Sequence, residues 1–185
     1  MMRRTMRVLP FRAVRVDSLT GETRRPEFLK KNAAGRIPVL ELENGAFLAE
    51  SGAILLYLAQ GSDLLPEEPL QRAQVLRWMF FEQNLLECTI GTARFFKKVG
   101  RDRERPDAYA HRMEAARDAL LALDRGLEGQ EWAALGRFTL ADIALYGYVS
   151  VAEEAGLEMA ELGNVVAWRK RVEALPRHVP PDWGF

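Results

Sequence analysis

Residues 32–58 read NAAGRIPVLELENGAFLAESGAILLYL, and the punctuation of this stretch decides the fold of the front of the chain. Ile37 to Leu42 and Ala46 to Ala49 are short apolar, strand-like runs. Asn44-Gly45 between them predicts a hairpin with a type I′ turn, which needs positive φ at both central residues. Pro38 cannot donate to a ladder, so it belongs at the start of its strand. Two geometries are open for the Ile37-Pro38 bond. Trans is the commoner one across proteins, whereas cis would turn the Ile37 backbone outward, free to pair with an extended peptide. Glu50-Ser51 then opens a helix running to about Ala59. A helix N-terminus presents free N–H groups and the positive end of a dipole to carboxylates. Ser51 can add a hydroxyl to such a carboxylate, and Glu50 can pair with an ammonium group beside it. Together they suit a small amino-acid-like anion. Ser51 serves equally as a plain N-cap, worth about 1 kcal/mol.

Working outward, Phe11 to Asp17 reads as a strand, with Val14 and Val16 on one face and Arg15 and Asp17 on the other. Gly21 marks a turn, and Pro26 suits the first turn of a short helix to about Lys31. Downstream, the Gly/Pro/acidic stretch from Gly61 to Pro69 changes the composition. The expected organisation is a first domain over residues 1–62, a linker over 63–69 and an all-helical domain over 70–185. A long helix is predicted from Leu70 to about Lys98. The next carries Met113, Ala116, Leu120, Leu123 and Leu127 at three-four spacing. Thr139 and Asp142 form a capping-box pattern in which Asp142 reaches back to the Thr139 N–H. The last helix has Val165, Trp168, Val172 and Leu175 on one face and stops before Pro176.

A chain of 185 residues that is 48% hydrophobic can bury roughly 70% of its unfolded surface. No apolar run approaches the ~20 residues that cross a bilayer, and the N-terminus lacks the apolar segment of a signal peptide. One cysteine, Cys88, rules out an intrachain disulfide framework. A cytoplasmic protein without a membrane partner is expected. Residues 1–36 hold ten Lys/Arg against three Asp/Glu, while the net charge of the whole chain is zero. A basic front can attract anions, but a solvated surface explains it as well. With no zinc ligand set, aromatic RNA-binding motif or helix-turn-helix signature, no nucleic-acid partner is expected.

Ile-Pro-Val-Leu, a hairpin and then Glu-Ser-x-Ala-Ile at this spacing closely resemble the glutathione-binding half of glutathione transferases, bacterial-type members included. Arg-Phe-Thr-Leu-Ala-Asp-Ile-Ala-Leu-Tyr at 137–146 and the Trp-bearing last helix resemble the other half, so the likeness spans roughly residues 10–179. It implies an α+β fold: an incomplete thioredoxin-like N-terminal domain, then an all-α helical bundle, assembled as a homodimer. It also implies a cis Pro38 and glutathione as co-substrate or ligand. Ile37 would pair with the cysteinyl backbone, Glu50 and Ser51 would hold the γ-glutamyl end, and Arg36 would sit near the glycine carboxylate. A surface arginine is an equal reading of Arg36. The function implied is conjugation of glutathione to a hydrophobic electrophile. The alternative is a non-catalytic binding or interaction module on the same fold.

Relatives begin with a strand, then a loop bearing the Tyr, Ser or Cys that activates the thiol, then a helix. This sequence starts where that helix would end, so the segment is expected to be missing from it and the catalytic residue is unknown. Neither Thr5 nor Ser18 stands in the required context. The chain as written is therefore expected to be a poor transferase, because a free thiol of pKa about 8.5 is only slightly ionised at neutral pH. Cys88 reads as a small buried hydrophobe within a helix. His111 and His178 have no partner nearby in sequence, and no metal site is expected. Val75, Leu76, Trp78, Met79, Phe80 and Phe81 exceed what one core-facing stripe needs, and predict a dimer surface on the long helix.

Overall fold

The structure, a computed structural model, describes residues 10–180. They fall into two compact units, one ending at Leu65 and the other beginning at Pro66.

The first unit contains a 3₁₀ turn at Glu22–Arg24, helix α1 (Pro26–Leu29), strands β1 (Val39–Glu41) and β2 (Phe47–Ala49), and helix α2 (Ser51–Leu58). The strands pair antiparallel, Val39 with Ala49, Leu40 with Leu48 and Glu41 with Phe47. Pro26 occupies the first turn of α1, where no N–H is needed. The hairpin differs from the type I′ expectation. Gly45 has φ 81, but Asn44 does not share the positive φ. The Gly45 N–H closes a tight turn onto the Leu42 carbonyl at 2.9 Å, and Leu42 donates to Ala46. The Asn44 carboxamide oxygen accepts the Ala46 N–H at 3.0 Å. This is a three-residue loop, with a turn followed by a left-handed glycine, in which asparagine works through its side chain.

The strand expected at Phe11–Asp17 is not formed. Residues 11–17 take no regular secondary structure, and among the described residues the sheet has two strands. Phe11 and Val14 are 71% and 67% exposed. Alternation predicts two faces, but a strand exists only with a ladder partner and a surface to cover. Asp17 instead organises a turn, accepting the Leu19 N–H at 2.8 Å.

The second unit is helical: α3 (Pro69–Phe81), a π-helical segment (Glu82–Gly91), α4 (Thr92–Lys98), α5 (Arg101–Glu104), α6 (Pro106–Gly126), α7 (Leu140–Val149), a 3₁₀ turn (Glu153–Ala155) and α8 (Gly163–Glu173). Glu68 caps α3, accepting the N–H groups of Leu70 and Gln71 at 3.0 and 2.7 Å. Those two bonds hold its carboxyl below the usual range. The long helix expected from Leu70 to Lys98 spans that range, but its middle is π-helical. Side chains compete there for main-chain carbonyls: the Thr89 hydroxyl donates to the Leu85 carbonyl, and the Cys88 thiol reaches that of Gln83. At Gly91, a Cβ would stand 2.7 Å from the Tyr148 ring. Bundle packing thus fixes a wider turn that residue spacing alone does not announce.

The core of this unit follows three-four spacing. Ala116, Leu120, Leu123 and Leu127 are buried along α6 and just beyond it, as are Val165, Trp168 and Val172 on α8. Burying each large side chain contributes about 1.5–3 kcal/mol. Two carboxylates tie the helix starts to the rest. Asp124 on α6 accepts the N–H groups of Asn164 and Val165, both at 2.9 Å, at the start of α8. Asp142, fully buried, accepts the Thr139 N–H at 2.8 Å and the Thr139 hydroxyl at 3.2 Å, as well as the N–H of Ala133 and the indole N–H of Trp168, both at 2.9 Å.

Among the described residues, no helix is long and apolar enough to cross a membrane.

Candidate functional site

The two-stranded ladder gathers the residues singled out in the first unit. Its last pair is Val39 with Ala49. From that end Pro38 and Ile37 precede Val39 on one strand, while Glu50 and Ser51 follow Ala49 on the other. Arg36, Ile37, Pro38 and Glu50 are exposed, and Ser51 is half-buried.

The Ile37–Pro38 peptide is cis. Ile37 is 50% exposed, and among the described residues neither its N–H nor its C=O has a hydrogen-bond partner. A free donor and acceptor on one residue form a short stretch of strand edge, suited to an extended peptide.

Glu50 is the N-cap of α2, and its backbone sits at φ 69 and ψ 117 with no cap bond from its side chain. Positive φ in a non-glycine residue costs about 1–3 kcal/mol and persists only where surrounding structure imposes it. Ser51 is therefore the first helical residue, not the N-cap, and its hydroxyl is not used in capping. The first N–H at this end to find an acceptor is that of Ile54, on the Glu50 carbonyl at 2.9 Å. Among the described residues, the N–H groups of Ser51, Gly52 and Ala53 lack acceptors, leaving the dipole end open to an anion. The site thus offers an exposed carboxylate, a hydroxyl, three N–H donors and a strand-edge peptide. The Arg36 guanidinium lies at the neighbouring turn, with no ion-pair partner among the described residues.

Asn32, quoted in the sequence but given no role there, underlies this arrangement. It is 8% exposed. Its carboxamide bridges the turn before Ile37, accepting the Ala34 N–H at 3.0 Å and donating to the Arg36 carbonyl at 2.8 Å. Arg24 grips the same turn by donating to the Ala34 carbonyl at 3.0 Å. A buried asparagine three residues before a Gly-x-x-Pro was the available signal.

The other candidates lie elsewhere. Thr5 is outside the described residues, and Ser18 is in an exposed turn. Cys88 is exposed, which corrects the expectation of a buried hydrophobe: in the π-helical segment the buried face is Glu82, Leu86, Thr89 and Ile90. His178 has a partner that sequence proximity hid: its Nε2 lies 2.7 Å from the Tyr146 hydroxyl. Among the described residues, no three metal-ligating side chains gather.

A polar cluster in the second unit also escaped the sequence reading. Glu82 is 8% exposed, and burial, then the Glu87 carboxylate, pushes its carboxyl up from 4.5 to about 7. Tyr148, on α7, is raised above its ordinary value by burial, then by Glu87 and Glu82, with Arg94 opposing. Gln83 donates to Glu87. A π-helix stacks residues five apart, which brings Glu82 and Glu87 to one face.

Comparison with known proteins matches both halves. Residues 8–60 fit the family model for the glutathione S-transferase N-terminal domain, and residues 84–176 fit that for the C-terminal domain. A solved structure described as a possible glutathione S-transferase from Rhodopseudomonas palustris is 43% identical and superposes with a TM-score of 0.89, covering 95% of this chain and 80% of that one. A glutathione transferase family member from Pseudomonas fluorescens Pf-5, solved with two glutathione bound, is 31% identical with a TM-score of 0.77, covering 91% of this chain and 79% of that one. The disulfide-bond oxidoreductase YfcG of Escherichia coli K12 is 29% identical over 175 residues, 91% of this chain and 81% of its own. The small sheet with its helices is the thioredoxin-like half of that architecture, and the helical unit is its C-terminal half. With its halves matched in order by the two domains of one family, the chain belongs to the glutathione S-transferase family.

Proposed function

We propose that the chain binds glutathione at the end of the β1–β2 ladder and, where a thiol-activating segment is supplied, serves its conjugation to a hydrophobic electrophile. The observation that carries this reading is the ladder register. The ladder ends at Val39 and Ala49, within two residues of the Ile37 backbone on one strand and of Glu50, Ser51 and the open start of α2 on the other. A γ-glutamyl group carries an ammonium and a carboxylate on one carbon. Glu50 meets the first, and Ser51 with the helix N–H groups meets the second. The cysteinyl backbone runs along Ile37 beside Pro38, and Arg36 faces the glycine carboxylate. The relative from Pseudomonas fluorescens, solved with two glutathione bound, supports the ligand.

The chain acts as a cytoplasmic homodimer in this proposal. The dimer surface is narrower than the sequence suggested, since Val75, Trp78 and Met79 are buried within their own unit. What remains exposed on α3 and just beyond it is Leu70 and Phe80, at 66% and 68% exposure, and Leu85 at 36%.

Isothermal calorimetry with glutathione tests the site. Ser51→Ala should weaken binding by roughly 1–2 kcal/mol, because a hydrogen bond to a charged group is lost. Glu50→Lys should weaken it more, by setting like charge against the ammonium. Equal affinity for wild type and both variants would place the site elsewhere. A conjugation assay with a chloronitrobenzene separates transferase from binding module: glutathione binding without rate above the uncatalysed reaction identifies the module.

A further inference from the structure

We propose that Asn32 is a positioning residue for the ligand, aiming the Ile37 N–H at the cysteinyl carbonyl of bound glutathione. This rests on the glutathione reading above. The Arg36 carbonyl and the Ile37 N–H belong to the same planar trans peptide, so they point in opposite directions. Asn32 Nδ2 donates to that carbonyl at 2.8 Å from a side chain that is 8% exposed. Holding the carbonyl from the buried side turns the N–H to the other side, where Ile37 is half-exposed and its N–H has no acceptor among the described residues.

The carboxamide has one orientation that satisfies its surroundings. Its oxygen must face the Ala34 N–H at 3.0 Å and its nitrogen the Arg36 carbonyl, because the reverse sets donor against donor and acceptor against acceptor. Asn32 is itself fixed at its main chain. Its N–H donates to the Phe28 carbonyl at 3.0 Å, and its carbonyl accepts the Gly35 N–H at 2.9 Å. The end of α1 and the turn thus form one rigid seat. A donor aimed before the ligand arrives spares the ordering that a mobile loop would require.

Two variants separate aiming from folding. Asn32→Asp keeps the acceptor for Ala34 but replaces the donor to Arg36 with a repelling oxygen. Asn32→Ser keeps a short acceptor, adds no charge and cannot reach the Arg36 carbonyl. Two probes are titrated by calorimetry and by amide NMR. Glutathione uses the Ile37 N–H, whereas γ-glutamylethylamide carries the ammonium and carboxylate but no cysteinyl carbonyl. The expected result is about tenfold weaker glutathione binding in both variants, with γ-glutamylethylamide within about twofold of wild type. The Ile37 amide resonance should also lose its response to glutathione. Unchanged glutathione affinity, or an equal loss for both probes, overturns the proposal. So does thermal unfolding of both variants before ligand is added, which would assign Asn32 to folding alone. If the wild-type chain takes up neither probe, the glutathione reading falls and the positioning role with it. Wild-type binding matched by the variants removes the positioning role and leaves the glutathione reading standing.

Discussion

The indole N–H of Trp168 donates to Asp142 Oδ1 at 2.9 Å, and both residues are fully buried. This bond joins the last helix to the first turn of α7. The same carboxylate also takes the N–H of Ala133 and the N–H and hydroxyl of Thr139. Four donors converge on this buried carboxyl group, and among the described residues it makes no ion pair. Removing the acceptor leaves those donors without a partner, which costs more than a surface cap.

Asp142→Ala should therefore destabilise the helical unit by about 3–5 kcal/mol, well beyond the ~1 kcal/mol of an exposed cap. Trp168→Phe keeps most of the packing and removes one donor, so about 1–2 kcal/mol is expected. Urea titration followed by far-ultraviolet circular dichroism gives both values. If Asp142→Ala shifts the midpoint no more than Trp168→Phe does, the carboxylate is not the hub.

Glu50 gives a test in which stability and binding move in opposite directions. Its φ of 69 is a conformation that glycine adopts freely. Glu50→Gly relieves that strain and should stabilise the chain by up to about 1 kcal/mol, with the gain reduced by the added freedom of the unfolded chain. Glutathione binding should fall, because the carboxylate that meets the ammonium is gone. Parallel thermal melts and calorimetry check the pair. A variant that loses both stability and affinity would mean that the Glu50 side chain holds the fold.

The sequence made some features legible for definite physical reasons. Pro38, Asn44-Gly45 and Ser51 act on their own neighbours, so the hairpin and the start of α2 could be located from residues a few positions apart. The Met113–Leu127 and Val165–Val172 stripes were equally readable, since one helix face repeats every three or four residues. The failures involved distant partners. Phe11–Asp17 alternates like a strand but has no ladder in the described sheet. The π-helical segment at Glu82–Gly91 ends at a glycine packed close to Tyr148, 57 positions away, a contact that local residue spacing does not reveal. Ile37, Glu50 and Ser51 stand out from local sequence, but the Asn32 bridge and the φ of Glu50 are visible only in the folded chain.

Gly35 should tolerate no side chain. Its φ is 59, and a Cβ there would stand 2.7 Å from Arg24 Nη1 and 2.9 Å from the Thr23 carbonyl oxygen. The arginine can swing away, but only by giving up its bond to the Ala34 carbonyl, and the Thr23 backbone cannot move alone. Gly35→Ala should cost about 2 kcal/mol or more and loosen the turn that carries Arg36 and Ile37. Hydrogen exchange at the Ala34 and Gly35 amides would report the loosening. Protection equal to wild type would show that the turn absorbs the methyl group.

Glu82 makes the stability of the helical unit fall as pH rises. Burial and the Glu87 carboxylate raise its carboxyl from 4.5 to about 7, while the unfolded chain has the ordinary value. Between those limits the folded chain holds a proton that the unfolded chain releases. The stabilisation is complete below about pH 4.5 and is lost as pH climbs through 7. Each pKa unit is 1.36 kcal/mol, so the full effect is about 2–3 kcal/mol after allowing for the water that still reaches the group. The surrounding groups reinforce this direction. Glu87 repels the charged form, the Tyr148 hydroxyl on α7 remains neutral, and Arg94 on α4 is paired with Glu154 at 2.7 Å. On α6, Arg112 is directed at the Cys88 carbonyl. Glu82→Gln mimics the protonated carboxyl without titrating. It should match wild type near pH 5 and exceed it by about 2 kcal/mol at pH 8, measured by urea midpoints on the helical signal. An offset that is the same at both pH values would mean that Glu82 keeps an ordinary pKa in the folded chain and that the glutamine acts through packing instead.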